Sequence, residues 1–262
     1  MKKVMLVFGT RPEAIKMCPL VKELKQHTTI ETVVCVTGQH KEMLEQVLDV
    51  FKIIPDYDLG VMKTNQTLFT ITTSILDKIQ SVLDEEKPDI VLVHGDTTTT
   101  FVTALAAFYK GIKVGHVEAG LRTYNLHSPF PEEFNRQATS IVSDYNFAPT
   151  EVSKENLVRE GRKNIFVTGN TVIDALKTTV QNDYSHPILD WAKGSKLIML
   201  TAHRRENLGE PMEHMFRAVN RILDEFEDVK VVYPIHKNPK VRELANKVFG
   251  NNERMKLLNL WK

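Results

Sequence analysis

Short apolar runs alternate along this chain with longer segments in which apolar residues recur every three or four positions. The runs cover Val4–Phe8, Thr32–Val36, Ile90–Val93, Lys113–Val117, Ile165–Val167, Leu197–Leu200 and Val229–Tyr233. The longer segments include Pro12–Gln26, Glu42–Phe51, Leu68–Glu85 and Thr99–Tyr109. β-Branched runs without polar alternation predict strands buried on both faces. Separated by helices, such strands predict parallel β/α/β units with right-handed crossovers. The polar stretch from Gln181 to Pro187 breaks the helical pattern after Leu176 and predicts a boundary. The first domain is then expected over residues 1–182 and the second over 183–262. The second restarts at Lys196 as strand, loop, helix, strand, loop, helix and one last apolar run, "MKLLNLWK". That is half of a doubly wound sheet. The expected fold class is therefore α/β: two Rossmann-like, doubly wound parallel-sheet domains facing a cleft, the second incomplete. A half-built domain is expected to leave apolar surface uncovered and to lower solubility.

Composition narrows the chemistry. With 262 residues, 42% of them hydrophobic, the chain can bury a substantial core. Its 34 basic and 33 acidic residues give a net charge of +1, so any anion site must be local, and neither nucleic acid nor a membrane surface is an expected partner. Cys18 and Cys35 lie in apolar stretches and are expected to be reduced core thiols. Val4 to Gly9 is too short an uncharged stretch for a signal peptide or a membrane span, so a soluble cytoplasmic protein is expected.

Ligands of open parallel sheets bind beyond the carboxyl ends of the strands. Polar clusters follow the runs in order: "GTRPEAIK", "TGQH", "HGDTTTT", "HVEAGLRT", "TGNT", "TAHRREN" and "YPIHKNP". All are expected on one edge. Gly9 to Glu13 forms a strand-to-helix turn with Pro12 suited to the first helical position. The helix N-terminus can hold phosphate, and Arg11 adds a forked donor. The turn is neither a GxGxxG nor a Walker loop, which disfavours dinucleotide and P-loop ATP binding. Asp96 stands at a strand exit. Capping of the helix Thr98–Tyr109 by Asp96 or Thr97 explains one or two oxygen side chains there but not the whole stretch. Glu118, between His116-Val117 and Ala119-Gly120, fits a catalytic acid or base better than a surface ion pair. Glu132 and Glu133 open another helix after Pro131, where the helix dipole alone also accounts for them. Asp96, Glu118 and one of that pair would bring three carboxylates together and split their proton affinities. His203 precedes Arg204 and Arg205, a setting for an anion. His236 either joins it or caps the next helix. Neither a HExxH pattern nor a GxSxG or Cys/His pair is present, so neither a metal site nor a covalent nucleophile is expected. A nucleotide-linked substrate fits this set of groups.

The segments "FGTRPEAIKMCPL", "TGQH", "HGDTTTT", "HVEAGLRT", "PEEFNRQ", "TGNTVIDAL", "TAHRREN" and "PIHKNP" resemble, in this order, those of the non-hydrolysing bacterial UDP-N-acetylglucosamine 2-epimerases. The resemblance runs from residue 1 to about residue 255 and is strongest to the Gram-positive branch that supplies UDP-N-acetylmannosamine for teichoic acids and other wall polymers. It implies two glycosyltransferase-type domains and a reaction without a cofactor: anti elimination of UDP to 2-acetamidoglucal, then re-addition. Because no carbonyl acidifies C2, leaving-group stabilisation carries much of the barrier. By resemblance Arg11, Lys16, Asp96, Glu118 and His203 touch substrate or UDP. Asp96, Glu118 and Glu132 are the proton-transfer candidates, with His203 beside them in the catalytic set. A second UDP-N-acetylglucosamine, acting as activator, is implied at Gln39, His40, Gln66, Arg204 and His236. Some members carry Arg where this chain has Asn65, which puts one regulatory contact in doubt. A homodimer is implied for the full-length enzyme.

The family continues with a "TDSGG…QEE" segment that grips diphosphate and ribose and that this sequence lacks. Codons such as AAA TTA ATT GAA CCT TTG GAA G, less one A, spell Lys256 to Lys262, so a frameshifted epimerase with little activity of its own is the expectation. The alternatives are a UDP-sugar glycosyltransferase, a hydrolysing epimerase that releases N-acetylmannosamine, and a non-catalytic nucleotide-sugar-binding fragment.

Overall fold

The strand β1 (Lys2–Phe8) shows why its sequence lacks polar alternation: Met5, Leu6, Val7 and Phe8 are all 0% exposed. Met5 and Val7 point to one face of the sheet and Leu6 and Phe8 to the other. The computed structural model describes residues 1–38, 41–62, 66–180, 182–202, 207–236 and 238–259. Contacts divide the chain into two units, Met1–Val180 and Gln181–Lys262.

In the first unit the described residues form a parallel sheet in the order β3-β2-β1-β4-β5-β6-β7. Its strands beyond β1 are β2 (Ile30–Val36), β3 (Tyr57–Asp58), β4 (Ile90–His94), β5 (Lys113–Val117), β6 (Tyr145–Ala148) and β7 (Ile165–Val167). The helices are α1 (Arg11–Gln26), α2 (Lys41–Phe51), α3 (Leu68–Glu86), α4 (Thr98–Tyr109), α5 (Glu132–Val142), α6 (Glu151–Arg159) and α7 (Val172–Thr179). One face packs Met5, Val7, Val91 and Val93 against Ile75 and Ile79 of α3 and Val102 of α4. The other packs Leu6, Phe8, Val34 and Val36 against Met17 and Val21 of α1 and Leu44 and Phe51 of α2. Burial of each such side chain contributes roughly 1.5–3 kcal/mol. Cys18 and Cys35 lie in these cores as free thiols, and burial pushes both up to about 12.

The chain steps outward from β1 to β2 and β3, then returns to place β4 on the other side of β1. The β1–β4 boundary is thus the switch point where crossovers change face and a crevice opens. All pairings are parallel, so the segments after β1, β4, β5 and β7 leave on one edge. None of β3, β6 and α6 carries a distinct apolar pattern in the sequence. β6 is short, and the polar Asn146 interrupts its apolar run; the residue is nevertheless buried and donates to the Lys163 carbonyl.

In the second unit β8 (Lys196–Met199), β9 (Val229–Ile235) and β10 (Met255–Asn259) pair in parallel in the order β10-β9-β8. The helices α9 (Glu210–Glu225) and α10 (Pro239–Phe249) cover one face, where Phe216 meets the Tyr233 ring edge-on at 5.6 Å between centroids. On α8 (Pro187–Ala192), the Trp191 ring takes Lys230 and Lys256 at 5.0 and 4.8 Å from its centroid. Met199 on β8 is 72% exposed. No helix among the described residues is long and apolar enough to cross a membrane.

Candidate functional site

At the exit of β1, Thr10 caps α1 and Glu13 completes a capping box, with Arg11 rather than Pro12 as the first helical residue. Glu13 is 2% exposed and accepts from the Gly9 and Thr10 N–H groups at 3.0 and 2.7 Å. Its other oxygen accepts from the Thr97 hydroxyl at 2.7 Å. Burial pushes the Glu13 carboxyl upward, against the pull of Thr97, Thr10 and the Gly9 N–H. Thr97 caps α4, accepting from the Thr100 N–H at 3.1 Å, and the Thr100 hydroxyl donates to the His94 carbonyl. Thr99 meets Thr37 at 3.0 Å between hydroxyl oxygens. Gly9 lies against that pair: a Cβ there would sit 1.9 Å from Thr37 Oγ1 and 2.6 Å from Thr99 Oγ1. The threonine cluster therefore ties the β1 turn to the head of α4. Capping falls to Thr97 and leaves the Asp96 carboxylate outside that role.

Asp96 is held through its own backbone. Gly95, at φ +70°, donates to the Val117 carbonyl at 2.8 Å, and its carbonyl meets His116 Nε2 at 2.7 Å. Asn135 Nδ2 donates to the Asp96 carbonyl at 2.9 Å, and Arg136 Nη1 to Asp96 Oδ2 at 3.3 Å. Burial pushes the Asp96 carboxyl up to about 6. Arg136 works against that rise, and Glu132, Glu118 and Glu13 reinforce it. Burial also pushes His94 down to about 3 and His116 to about 4, so both imidazoles are neutral at pH 7.

Glu118 leaves β5 at φ +62°, a left-handed conformation that costs a residue with a side chain energy and is held by its surroundings. Its Oε2 accepts from Lys16 Nζ of α1 at 2.5 Å and from Asn170 Nδ2 at 3.0 Å. Asn170 Oδ1 in turn accepts from the Val172 N–H at 3.1 Å, which fixes the orientation of its amide. His94 Nε2 stands 3.8 Å from Glu118 Oε2, beyond hydrogen-bond reach.

The two glutamates of α5 separate. Glu133 is 0% exposed and accepts from the Thr123 and Tyr124 N–H groups, each at 3.0 Å, from Gln137 at 2.7 Å and from Arg136. Burial opposes its charge, but Gln137, the Thr123 N–H, Arg136 and the Tyr124 N–H together hold the carboxyl down to about 2. The dipole reading is thus corrected for Glu133: loop amides and a guanidinium bind it. Glu132 is half-buried and acts electrostatically on Asp96.

Lys16, Asp96, Glu118 and Glu132 therefore gather at the switch point. Arg11 is half-buried and lines a cavity of about 360 Å³ with Ile15, Phe51 and Leu176, and none of the carboxylates lines that cavity. Gln66 is half-buried and donates to the Val61 carbonyl. His236 does not cap α10: Asn238 does, accepting from the Lys240 N–H at 3.0 Å, while His236 Nδ1 accepts from the Asn238 N–H at 3.1 Å. The shorter amide side chain reaches the first turn that the imidazole precedes. Gln39, His40, Asn65, His203 and Arg204 lie outside the described residues.

Two site residues escaped the sequence reading. Asn170 had a signal, an Asn just before a helix after "TG", and Arg136 had another, its i,i+3 spacing from Glu133.

The profile of UDP-N-acetylglucosamine 2-epimerases matches residues 22–260. The UDP-N-acetylglucosamine 2-epimerase of Bacillus subtilis is 62% identical over 258 residues, 98% of this chain and 68% of the relative. The S. aureus MnaA–UDP co-structure superposes with a TM-score of 0.89 at 53% identity over 98% of this chain and 69% of that one. The UDP-GlcNAc 2-epimerase of Neisseria meningitidis bound to UDP-GlcNAc gives a TM-score of 0.87 at 49% identity over 98% of this chain and 72% of that one.

Proposed function

Since this chain belongs to the UDP-N-acetylglucosamine 2-epimerase family, we propose that the cluster at the β1–β4 switch point carries the proton transfers of that reaction. One carboxylate takes the proton from C2 of the sugar while the C1–O bond breaks and UDP departs with the electron pair. The products of this anti elimination are 2-acetamidoglucal and UDP. A second carboxyl group then delivers a proton to the opposite face of C2, and the UDP oxygen re-forms the bond at C1. Each step as written moves a proton and an electron pair without a change of oxidation state, so the reaction calls on no redox cofactor.

The observation that carries this reading is the pairing of two differently prepared carboxyl groups. Asp96 is pushed up to about 6, where a group can both hold and release a proton near neutral pH. Glu118 has its Oε2 engaged by Lys16 and Asn170, which aims the carboxylate and leaves Oε1 for the sugar. Glu132 is the third member. Glu133 is excluded from proton exchange by its bound donors. Arg11 at the head of α1 and His203 are assigned to the UDP group, whose departing charge needs cationic partners in place beforehand. Gln39, His40, Gln66, Arg204 and His236 are assigned to a second, activating UDP-N-acetylglucosamine. The product would serve wall-polymer synthesis, and a homodimer is the assembly proposed. Support for the nucleotide comes from the two relatives whose structures hold UDP and UDP-GlcNAc.

The test is product analysis. This chain, alone and joined to the part of the Bacillus subtilis relative beyond the match, is incubated with UDP-N-acetylglucosamine. UDP-N-acetylmannosamine as the sole sugar product supports the reading. Free N-acetylmannosamine, or UDP released only when an acceptor sugar is added, overturns it in favour of a hydrolysing epimerase or a glycosyltransferase.

A further inference from the structure

Asp96 is gripped twice by one turn of α5. Asn135 holds its carbonyl at 2.9 Å and Arg136 its carboxylate at 3.3 Å. Arg136 is itself only 7% exposed and faces a second anion: its Nε donates to Glu133 Oε2 at 2.6 Å, and Nη2 donates to the same oxygen. Glu133 in turn is locked by the Thr123 and Tyr124 N–H groups and by Gln137. A row of negative, positive and negative charge, buried at Glu133 and Arg136 and half-buried at Asp96, thus runs from the 123–124 loop to the exit of β4. A guanidinium serves here because it is planar and presents several donors in fixed directions, so one edge can bind Glu133 while another meets Asp96.

We propose that Arg136, anchored by Glu133, is a positioning residue for the reaction, fixing the Asp96 carboxyl at the β4 exit and balancing its charged against its protonated form. The inference rests on the reading of Asp96 as a proton-transfer group. Its two halves act in opposite senses. Arg136 favours the Asp96 carboxylate, while Glu133 draws the guanidinium toward itself and weakens that favour. The other groups facing Asp96 are Glu132 on the same helix, Glu118 from β5 and Glu13 from α1, all of which oppose its charge, and the neutral His116, which holds the Gly95 carbonyl. Lys16 is engaged by Glu118. Arg136 is therefore the cation whose removal changes the balance most directly.

The opposed senses make the test sharp. The chain is labelled at the aspartate carboxyl carbon, the Asp96 resonance is identified by its loss in Asp96→Asn, and its midpoint is followed by NMR from pH 4 to 9. The wild-type midpoint is expected near 6. In Arg136→Gln it moves up by about one pH unit or more, the usual effect of an adjacent opposite charge. In Arg136→Lys, which keeps the charge and loses the fork, it moves up by less, and this variant serves if the Gln variant does not fold. In Glu133→Gln it moves down, because the guanidinium has a single anion left. A midpoint unmoved in both Arg136 variants overturns the proposal. So does a Glu133→Gln midpoint that moves up with the others, since that is general loosening rather than charge balance. Turnover is read in parallel in the joined chain, where Arg136→Gln lowers kcat and leaves KM near wild type. Midpoints that move as stated in a protein without epimerase turnover leave the charge balance at Asp96 standing and remove the epimerase reading together with the role of Arg136 in it. Turnover with immobile midpoints does the reverse.

Discussion

Asn170, at the head of α7, donates to Glu118 at the end of β5 across 3.0 Å and 52 positions of sequence. The contact spans from β7 to β5 on the sheet edge and makes the "TGNT" segment part of the site. The amide cannot turn over, because its oxygen is used by the Val172 N–H.

The substitution Asn170→Asp isolates that donor. An aspartate keeps the oxygen that accepts from Val172, so the turn survives, but it sets an anion against Glu118 in place of an N–H. The expected result is a kcat lower by about 100-fold, the scale of a general acid–base contribution, with KM and thermal midpoint near wild type. Steady-state kinetics decides. A kcat equal to wild type would show that Glu118 needs no alignment from α7.

Asp96 carries a stability cost. Its folded proton affinity is raised to about 6 from an unfolded value of 3.8. Between those values the unfolded chain releases the proton while the folded chain keeps it, so stability falls as pH rises through that window and stays lower above it. Asp96→Asn removes the effect. The variant should be more stable than wild type by about 1–3 kcal/mol at pH 8, and the gain should vanish at pH 4. Denaturant titrations at the two pH values measure it. An equal difference at both would mean that packing, not charge, sets the result.

Glu133 has the opposite sign. Held down to about 2, it stabilises the fold above the ordinary carboxylate range and loses that contribution as pH falls toward 2. Glu133→Gln should therefore be less stable than wild type at pH 7, with the gap closing below pH 3. A gap that persists undiminished in acid would assign it to the four donors rather than to the carboxylate.

Gly9 tests the threonine tie. A methyl at this position would overlap Thr37 Oγ1 and Thr99 Oγ1, so Gly9→Ala must displace the β1 turn or the α4 head. A loss of about 1–3 kcal/mol is expected, the range for overpacking a filled site. Wild-type stability of the variant in urea would mean that both hydroxyls can rotate away.

The chain's apolar runs made the parallel sheets legible because strands buried on both faces leave an uninterrupted signature, as Met5 to Phe8 does. Two-residue β3 has no such run, and β6 hides behind the buried Asn146. Asp96 and Glu118 were legible as strand exits, and Lys16 and Glu132, which only the family resemblance singled out, lie beside them. What the sequence could not give is which of several adjacent polar groups binds which. Thr97 rather than Asp96 caps α4, Asn238 rather than His236 caps α10, and Glu133 is anchored where Glu132 is not. Each choice turns on where backbone N–H groups point, which residue spacing does not encode. Arg136 and Asn170 act through partners 40 and 52 positions away, beyond any local pattern.

Proton exchange by Asp96 and Glu118 at C2 of the sugar must carry solvent deuterium into that position. With UDP-N-acetylglucosamine in D₂O, the joined wild-type chain should place deuterium at C2 of both the product and the recovered substrate. Asp96→Asn and Glu118→Gln should each slow that incorporation by about 100-fold or more. Epimerisation that leaves C2 unlabelled, or wild-type labelling rates in both variants, would rule out proton exchange by this pair.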